Sequence, residues 1–145
     1  MIMYKNGRLY TDGVSFPMVE GYYLNEECGI ELDKGLGFFN ENRDIAIQWE
    51  LKDVKNHFSY NLQYTIDLIA RNIMTPITKF ELNGLDGCYC IYDDETTQYF
   101  EAHFDIGNKK ILIFAVEAGN GQDIYEIIKQ SDIQELLKGL KKENN

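Results

Sequence analysis

The chain is short of several things, and each shortage excludes a class of protein. Two prolines among 145 residues leave no room for a proline-rich linker. Three cysteines, Cys28, Cys88 and Cys90, are an odd number in a chain long enough to fold around its own core, which argues against a disulfide scaffold. Cys88 and Cys90 form C-x-C, neither the redox C-x-x-C nor half of a common zinc knuckle. There are two histidines, His57 and His103, and no G-x-S-x-G, H-E-x-x-H, G-x-x-x-x-G-K-[ST] or G-x-G-x-x-G sequence. No apolar run approaches the roughly 20 residues that a membrane-spanning helix needs. Positive charge is scarce and scattered: 14 Lys and Arg stand against 24 Asp and Glu, a net charge of −10. Such a surface repels phosphate backbones, so nucleic acid is not an expected partner. The opening MIMYKNGRLY lacks the charged and apolar regions of a signal peptide, so a reduced, cytoplasmic location is expected.

What is present is a core. Apolar residues make up 44% of the chain and aromatics 13%, with 10 Tyr, 8 Phe and one Trp. A chain of this length buries about two-thirds of its unfolded surface. Without repeats or low-complexity tracts, residues 1–145 read as one domain, with a tail of about 141–145 expected to fray.

Periodicity supplies the elements. Val14–Met18 reads as a short strand after the Asp12–Gly13 turn, with weaker strand candidates at Gly29–Leu32 and Gly37–Asn40. In Asp44–Leu51, Ile45, Ile47, Trp49 and Leu51 alternate with Ala46, Gln48 and Glu50, the pattern of a half-buried strand. Phe58, Leu62, Ile66, Ile69, Ala70 and Ile73 form a helical stripe that Pro76 ends, with Ser59 as its cap. A meander follows: Thr78–Leu82, a turn over Asn83–Gly87, Cys88–Tyr92, Thr97–Ile106, the Gly107–Asn108 hairpin, and Lys110–Ala118. Lys110–Ala118 is almost wholly apolar, as expected of a central strand covered on both faces. Asp123 with Glu126, and Ser131 with Gln134, predict two short helices that break near Ser131. Strands grouped together and helices set apart predict an α+β domain: a mainly antiparallel sheet with helices packed on its faces.

The candidate sites are few. Glu101, His103 and Asp105 share one strand face, where a carboxylate–imidazole–carboxylate row could hold a metal or move a proton. The same spacing describes the plain polar side of a half-buried strand, and that reading leads. Cys88 and Cys90 also share a face and read as small buried hydrophobes rather than nucleophiles. Gly119-Asn120-Gly121 before a helix could seat a phosphate, but such glycines are ordinary in strand-to-helix connections. Gly35-Leu36-Gly37-Phe38-Phe39 is either a loop whose Leu36, Phe38 and Phe39 engage a partner or a hairpin leading into the core. Between Glu81 and Asn108 stand Glu81, Asp86, Asp93, Asp94, Glu95, Glu101 and Asp105 with no Lys or Arg, either a solvated face or one that meets a basic partner.

The order of segments carries a resemblance. An early Tyr4, VSFPMVEGYY (Val14–Tyr23), a long helix, FELNGLDGCYCIYD (Phe80–Asp93), KILIFAVEA (Lys110–Ala118) and IYEIIKQSDIQELLKGL (Ile124–Leu140) follow one another in a pattern that resembles the PsbP-like superfamily. Within it, the cytoplasmic Eag chaperones of secreted effectors share the size and the early Tyr. The resemblance implies an α/β/α sandwich on an antiparallel sheet and no shared catalytic residues. It also implies a protein that works by binding. The expected function is therefore a non-enzymatic, cofactor-free domain that binds another protein as a chaperone or adaptor, with a homodimer left open. Two alternatives stand beside it. One is an acidic, immunity-type inhibitor of a basic toxin, using Asp93, Asp94, Glu95, Glu101 and Asp105. The other is a small metal-dependent enzyme built on His103.

Overall fold

The most apolar stretch of the sequence takes the middle of the larger sheet. In the computed structural model, which describes residues 2–29, 31–32, 36–53, 77–93, 96–107 and 110–143, Lys110–Ala118 forms β10. On one side it pairs with β6 (Ile45–Asp53), then β5 (Leu36–Asn40) and β4 (Tyr23–Leu24). On the other it pairs with β9 (Gln98–Gly107), β8 (Leu85–Asp93) and β7 (Thr78–Leu82). A smaller sheet has the order β1 (Met3–Lys5), β2 (Arg8–Tyr10), β3 (Val14–Pro17) and β11 (Lys141–Lys142). Every described strand pairing is antiparallel, as expected.

The hairpin turns follow from asparagine and glycine. Asn83 (φ 53°) and Gly84 (φ 80°) form a two-residue turn with both residues left-handed, so β8 begins at Leu85 and not at Cys88. Asn6 (φ 52°) and Gly7 (φ 73°) do the same between β1 and β2, a hairpin that the sequence reading passed over. No strand forms at Glu31–Leu32. A one-turn helix, α1 (Asn25–Cys28), precedes them and closes at Gly29. The expected helix over 58–73 lies outside the described residues, as do Asp94 and Glu95.

The broken carboxy-terminal helix is present as α2 (Ile124–Ile127) and α3 (Ser131–Gly139). Asp123 caps α2, its carboxylate accepting from the Tyr125 amide at 3.0 Å. The capping box expected at Ser131 does not form. Ser131 lies inside α3, and the Gln134 side chain donates instead to the Ile128 carbonyl. At the far end of α3, Asn83 Nδ2 donates to the carbonyls of Leu137 (3.0 Å), which also takes the Leu140 amide, and of Leu140 (2.8 Å), tying the β7–β8 turn to the helix end. The tail expected to fray instead carries β11, and the Glu143 amide donates to the Gly13 carbonyl at 2.9 Å.

One face of the larger sheet makes the main core. Phe38, Ile47, Trp49, Phe100, Phe104, Leu112, Phe114 and Val116 are buried there together with Leu9, Val14 and Phe16 of the small sheet and Ile124, Ile133 and Leu136 of the helices. Phe16 bridges the two sheets, its ring centroid 4.3 Å from Trp49 and 5.9 Å from Phe114. The described helices α2 and α3 thus belong to a single core layer, shared with the small sheet. β6 departs from the half-buried expectation, because Ala46 and Gln48 on its second face are buried as well.

Candidate functional site

The register sets the residues of the second sheet face opposite one another. Cys88 stands against His103 and Cys90 against Glu101 between β8 and β9. Across β9 and β10, Glu101 faces Ala115 and His103 faces Ile113. His103 Nε2 and Glu101 Oε2 are 3.0 Å apart, and the Tyr92 hydroxyl donates to Glu101 Oε1 at 3.3 Å. Burial above all, and then the Glu101 carboxylate, raise the Tyr92 phenol well above its ordinary range. Gln48 donates to Glu117 on the same face.

The structure therefore joins two of the three residues in the predicted row and parts the third from them. Glu101 and His103 form a largely buried pair, whereas Asp105 is exposed and accepts from the Gly107 amide at 2.9 Å. All three keep one register against β10, which shifts only beyond them, between Lys110 and Ile111; Asp105 stands at the exposed hairpin end and turns to the Gly107 amide instead. Among the described residues no group of three His, Cys, Asp or Glu side chains is placed to hold a metal ion. Cys88 and Cys90 are buried thiols, and burial, then Glu101, pushes Cys88 up to about 11, away from nucleophilic thiolate chemistry. Because Glu101 is turned into this network, the five acids considered for a basic partner do not include it as exposed surface.

The glycine-flanked segment at 36–39 is a strand. Phe38 is 1% exposed and packs on Trp49, while Leu36 and Phe39 are half-buried. Gly37 explains the local sequence. A Cβ there would lie 2.4 Å from the Ile47 carbonyl oxygen and 2.8 Å from the Gln48 Cα, so only glycine lets β5 approach β6. Its amide donates to the buried Asn25 side chain at 3.1 Å.

A different surface emerges at one edge of each sheet. β1 ends the small sheet and β4 ends the large one. The Tyr4 hydroxyl on β1 donates to Glu27 of α1 at 3.1 Å, and α1 follows directly on β4. Partial burial and that carboxylate raise Tyr4 to about 12. Met3 (52%), Tyr4 (45%) and Tyr23 (59%) are three of the four large apolar side chains exposed among the described residues. Beside them a cavity of about 260 Å³ is lined by Ile2, Thr11, Asp12, Leu36, Trp49, Glu50 and Leu51. Trp49 is 2% exposed, and its indole Nε1 is the one buried side-chain donor or acceptor without a partner among the described residues. Sequence reasoning missed this rim. Its local signal was the Asn6–Gly7 turn, which fixes β1 against β2 and leaves Met3 and Tyr4 on an edge.

No protein-family model and no curated protein matches the chain. Solved structures do. The 1.9 Å crystal structure of the Ran-binding protein Mog1p from Saccharomyces cerevisiae matches with a TM-score of 0.53 at 11% identity, over 97% of this chain and 96% of that one. A mutant of protein Mog1 matches with a TM-score of 0.52 at 10% identity, over 91% and 92%. A structure from Bacteroides thetaiotaomicron matches at 0.51 and 14%, over 91% of this chain and 46% of that one. At these identities the likeness establishes the fold alone, which the chain shares with Mog1. Among the described residues no helix is long and apolar enough to cross a membrane.

Proposed function

We propose that the chain is a non-enzymatic protein-binding domain, an adaptor or chaperone of the Eag type, that docks its partner along the β1–β4 rim. The observation that carries this reading is the Tyr4–Glu27 hydrogen bond, which ties the edge strand β1 to α1 beside the edge strand β4, with Met3, Tyr4 and Tyr23 exposed. An edge strand offers unpaired backbone donors and acceptors, and apolar side chains beside it add burial, the usual terms of strand addition. Glu26 and Glu27 of α1 are exposed at the rim, so the fitting partner segment is extended, apolar and flanked by basic residues. Mog1p, a Ran-binding protein of the same fold, is in keeping with a protein partner.

The test places a photo-crosslinking residue at position 3, 23, 93, 105 or 125, one at a time, in the native cell. Docking at the rim predicts that positions 3 and 23 trap the same protein and that position 125 traps none. Adducts confined to 93 and 105 would favour the inhibitor reading, in which Asp93 and Asp105 are the exposed acids. An adduct of twice the chain mass from position 3 or 23 would mean that the rim joins two copies.

A further inference from the structure

We propose that β7 pairs edge to edge with β7 of a second copy of this chain, joining two large sheets across a two-fold axis at Phe80. β7 ends the larger sheet on the side opposite β4. The Asn83–Gly84 turn makes Leu82 and Leu85 the hydrogen-bonded pair that closes the β7–β8 hairpin. Backbone groups alternate sides along a strand, so Thr78, Phe80 and Leu82 bond toward β8. The amides and carbonyls of Lys79 and Glu81 therefore face outward, and an antiparallel partner has to pair through them. Two-fold registers near the middle of β7 place residue 79, 80 or 81 on the axis. An axis at 79 sets Lys79 against its own copy, and an axis at 81 does the same to Glu81; like charges disfavour both. An axis at 80 sets each Lys79 opposite Glu81 of the second copy, and it overlaps all 5 residues of the strand.

The charges on this edge are unbalanced within one copy. Glu81 stands directly across from Asp86 of β8, both exposed, and two carboxylates so placed repel. Among the described residues, no ion pair engages Glu81, Asp86 or Lys79. In the register centred on Phe80, Lys79 of the second copy takes the open side of Glu81 and supplies the missing cation. Phe80 itself is half-buried, its ring 5.0 Å from Tyr89 and 5.3 Å from Phe104 between centroids. On the axis it forms a non-hydrogen-bonded pair, where side chains approach most closely, so the two Phe80 rings cover one another. Asn83 holds the turn to the end of α3, which leaves little of the edge to be ordered on binding. An interface of this size is small, and a dissociation constant on the order of 10 μM is expected. Met3, Tyr4 and Tyr23 take no part, so this pairing stands apart from docking at the rim.

Sedimentation equilibrium of the full chain, from about 1 to about 200 μM, should show monomer passing into dimer. Lys79→Glu and Glu81→Lys lie at exposed positions that spare the fold. Each sets like charges across the axis twice and should weaken self-association about tenfold. Mixed in equal amounts, the two variants should form a heterodimer at least as tight as the wild-type dimer, because one strand then carries the acids and the other the bases. The double variant with both changes restores opposite pairs and should dimerise like the wild type. A wild-type chain that stays monomeric at about 200 μM overturns the proposal. So does a dimer that neither reversal weakens, which would join through another surface, and so does a mixture of the variants that gains no dimer. Crosslinks from positions 3 and 23 should be the same in Lys79→Glu as in wild type, so failure at β7 and failure at the rim are read separately.

Discussion

On one face of the seven-stranded sheet Trp49, Phe104 and Phe114 lie buried against Phe16, while on the other the same strands present Gln48, Glu101 and His103. Both faces are largely withdrawn from water, yet they are held by different means. The first gains from apolar area and ring packing, which is non-directional and tolerates modest repacking. The second buries polar groups that must each find a partner, and it finds them in chains such as Tyr92–Glu101–His103. The alternation that looks like an inside and an outside is here two kinds of inside.

The largest effect expected from breaking this contrast is on the apolar side. Phe114→Ala should lower unfolding stability by about 3–5 kcal/mol in urea titrations, because Phe114 is fully buried and its loss leaves a cavity under Phe16. On the polar side, Glu101→Leu should cost about 1–3 kcal/mol, since it strands the Tyr92 hydroxyl and the His103 ring without an acceptor. Tyr92→Phe in that background should then recover part of the loss, giving a measurable coupling in a double-mutant cycle. An apolar face tested the same way, with Phe16→Leu and Phe114→Leu, has no such stranded partner to rescue.

The smallest effect concerns alkali. Burial raises Cys88 from 9.0 to about 11, so the folded state favours the neutral thiol. This contribution is fully present below pH 9 and is lost as pH rises from 9 toward 11. Comparing wild type with Cys88→Ala in that window should show the wild type losing stability more steeply. In a Cys28→Ser background, native Cys88 and Cys90 should also resist a thiol reagent at pH 8 and react once the chain is unfolded. Rapid native labelling of both would contradict the buried environment assigned to them.

Much of the fold was written in short stretches of chain. Lys110–Ala118 read as a central strand and occupies the middle of the larger sheet, and the two terminal helices break at Ser131 as the phase of their stripes requires. The chain also encodes its turns, with Asn83-Gly84 and Asn6-Gly7 each closing a two-residue hairpin, the first narrower than the five-residue turn expected over Asn83–Gly87. The candidate row was legible to the extent that Glu101 and His103 share a face. What local pattern could not carry was the burial that divides the row, because whether Glu101 and His103 are covered while Asp105 stays exposed depends on what packs over each end of the strand. The glycines at 35 and 37 looked like a loop signal. At Gly37 the reason is close approach to Ile47 and Gln48, which no single strand reveals.

By itself, the sequence determined periodicity, turn conformation and charge. Backbone sterics and side-chain alternation act over a few residues, so Asn-Gly turns, strand faces and the −10 charge are present before folding. The tertiary structure decided which surfaces meet. The rim joins Tyr4 to Glu27, and the cavity gathers Ile2, Asp12, Leu36 and Trp49 from four separate strands and turns. Those neighbours are set by long-range strand pairing and by the burial of a shared core. The same polar residue therefore becomes a solvated side chain at Asp105 and a buried hydrogen-bonded partner at Glu101.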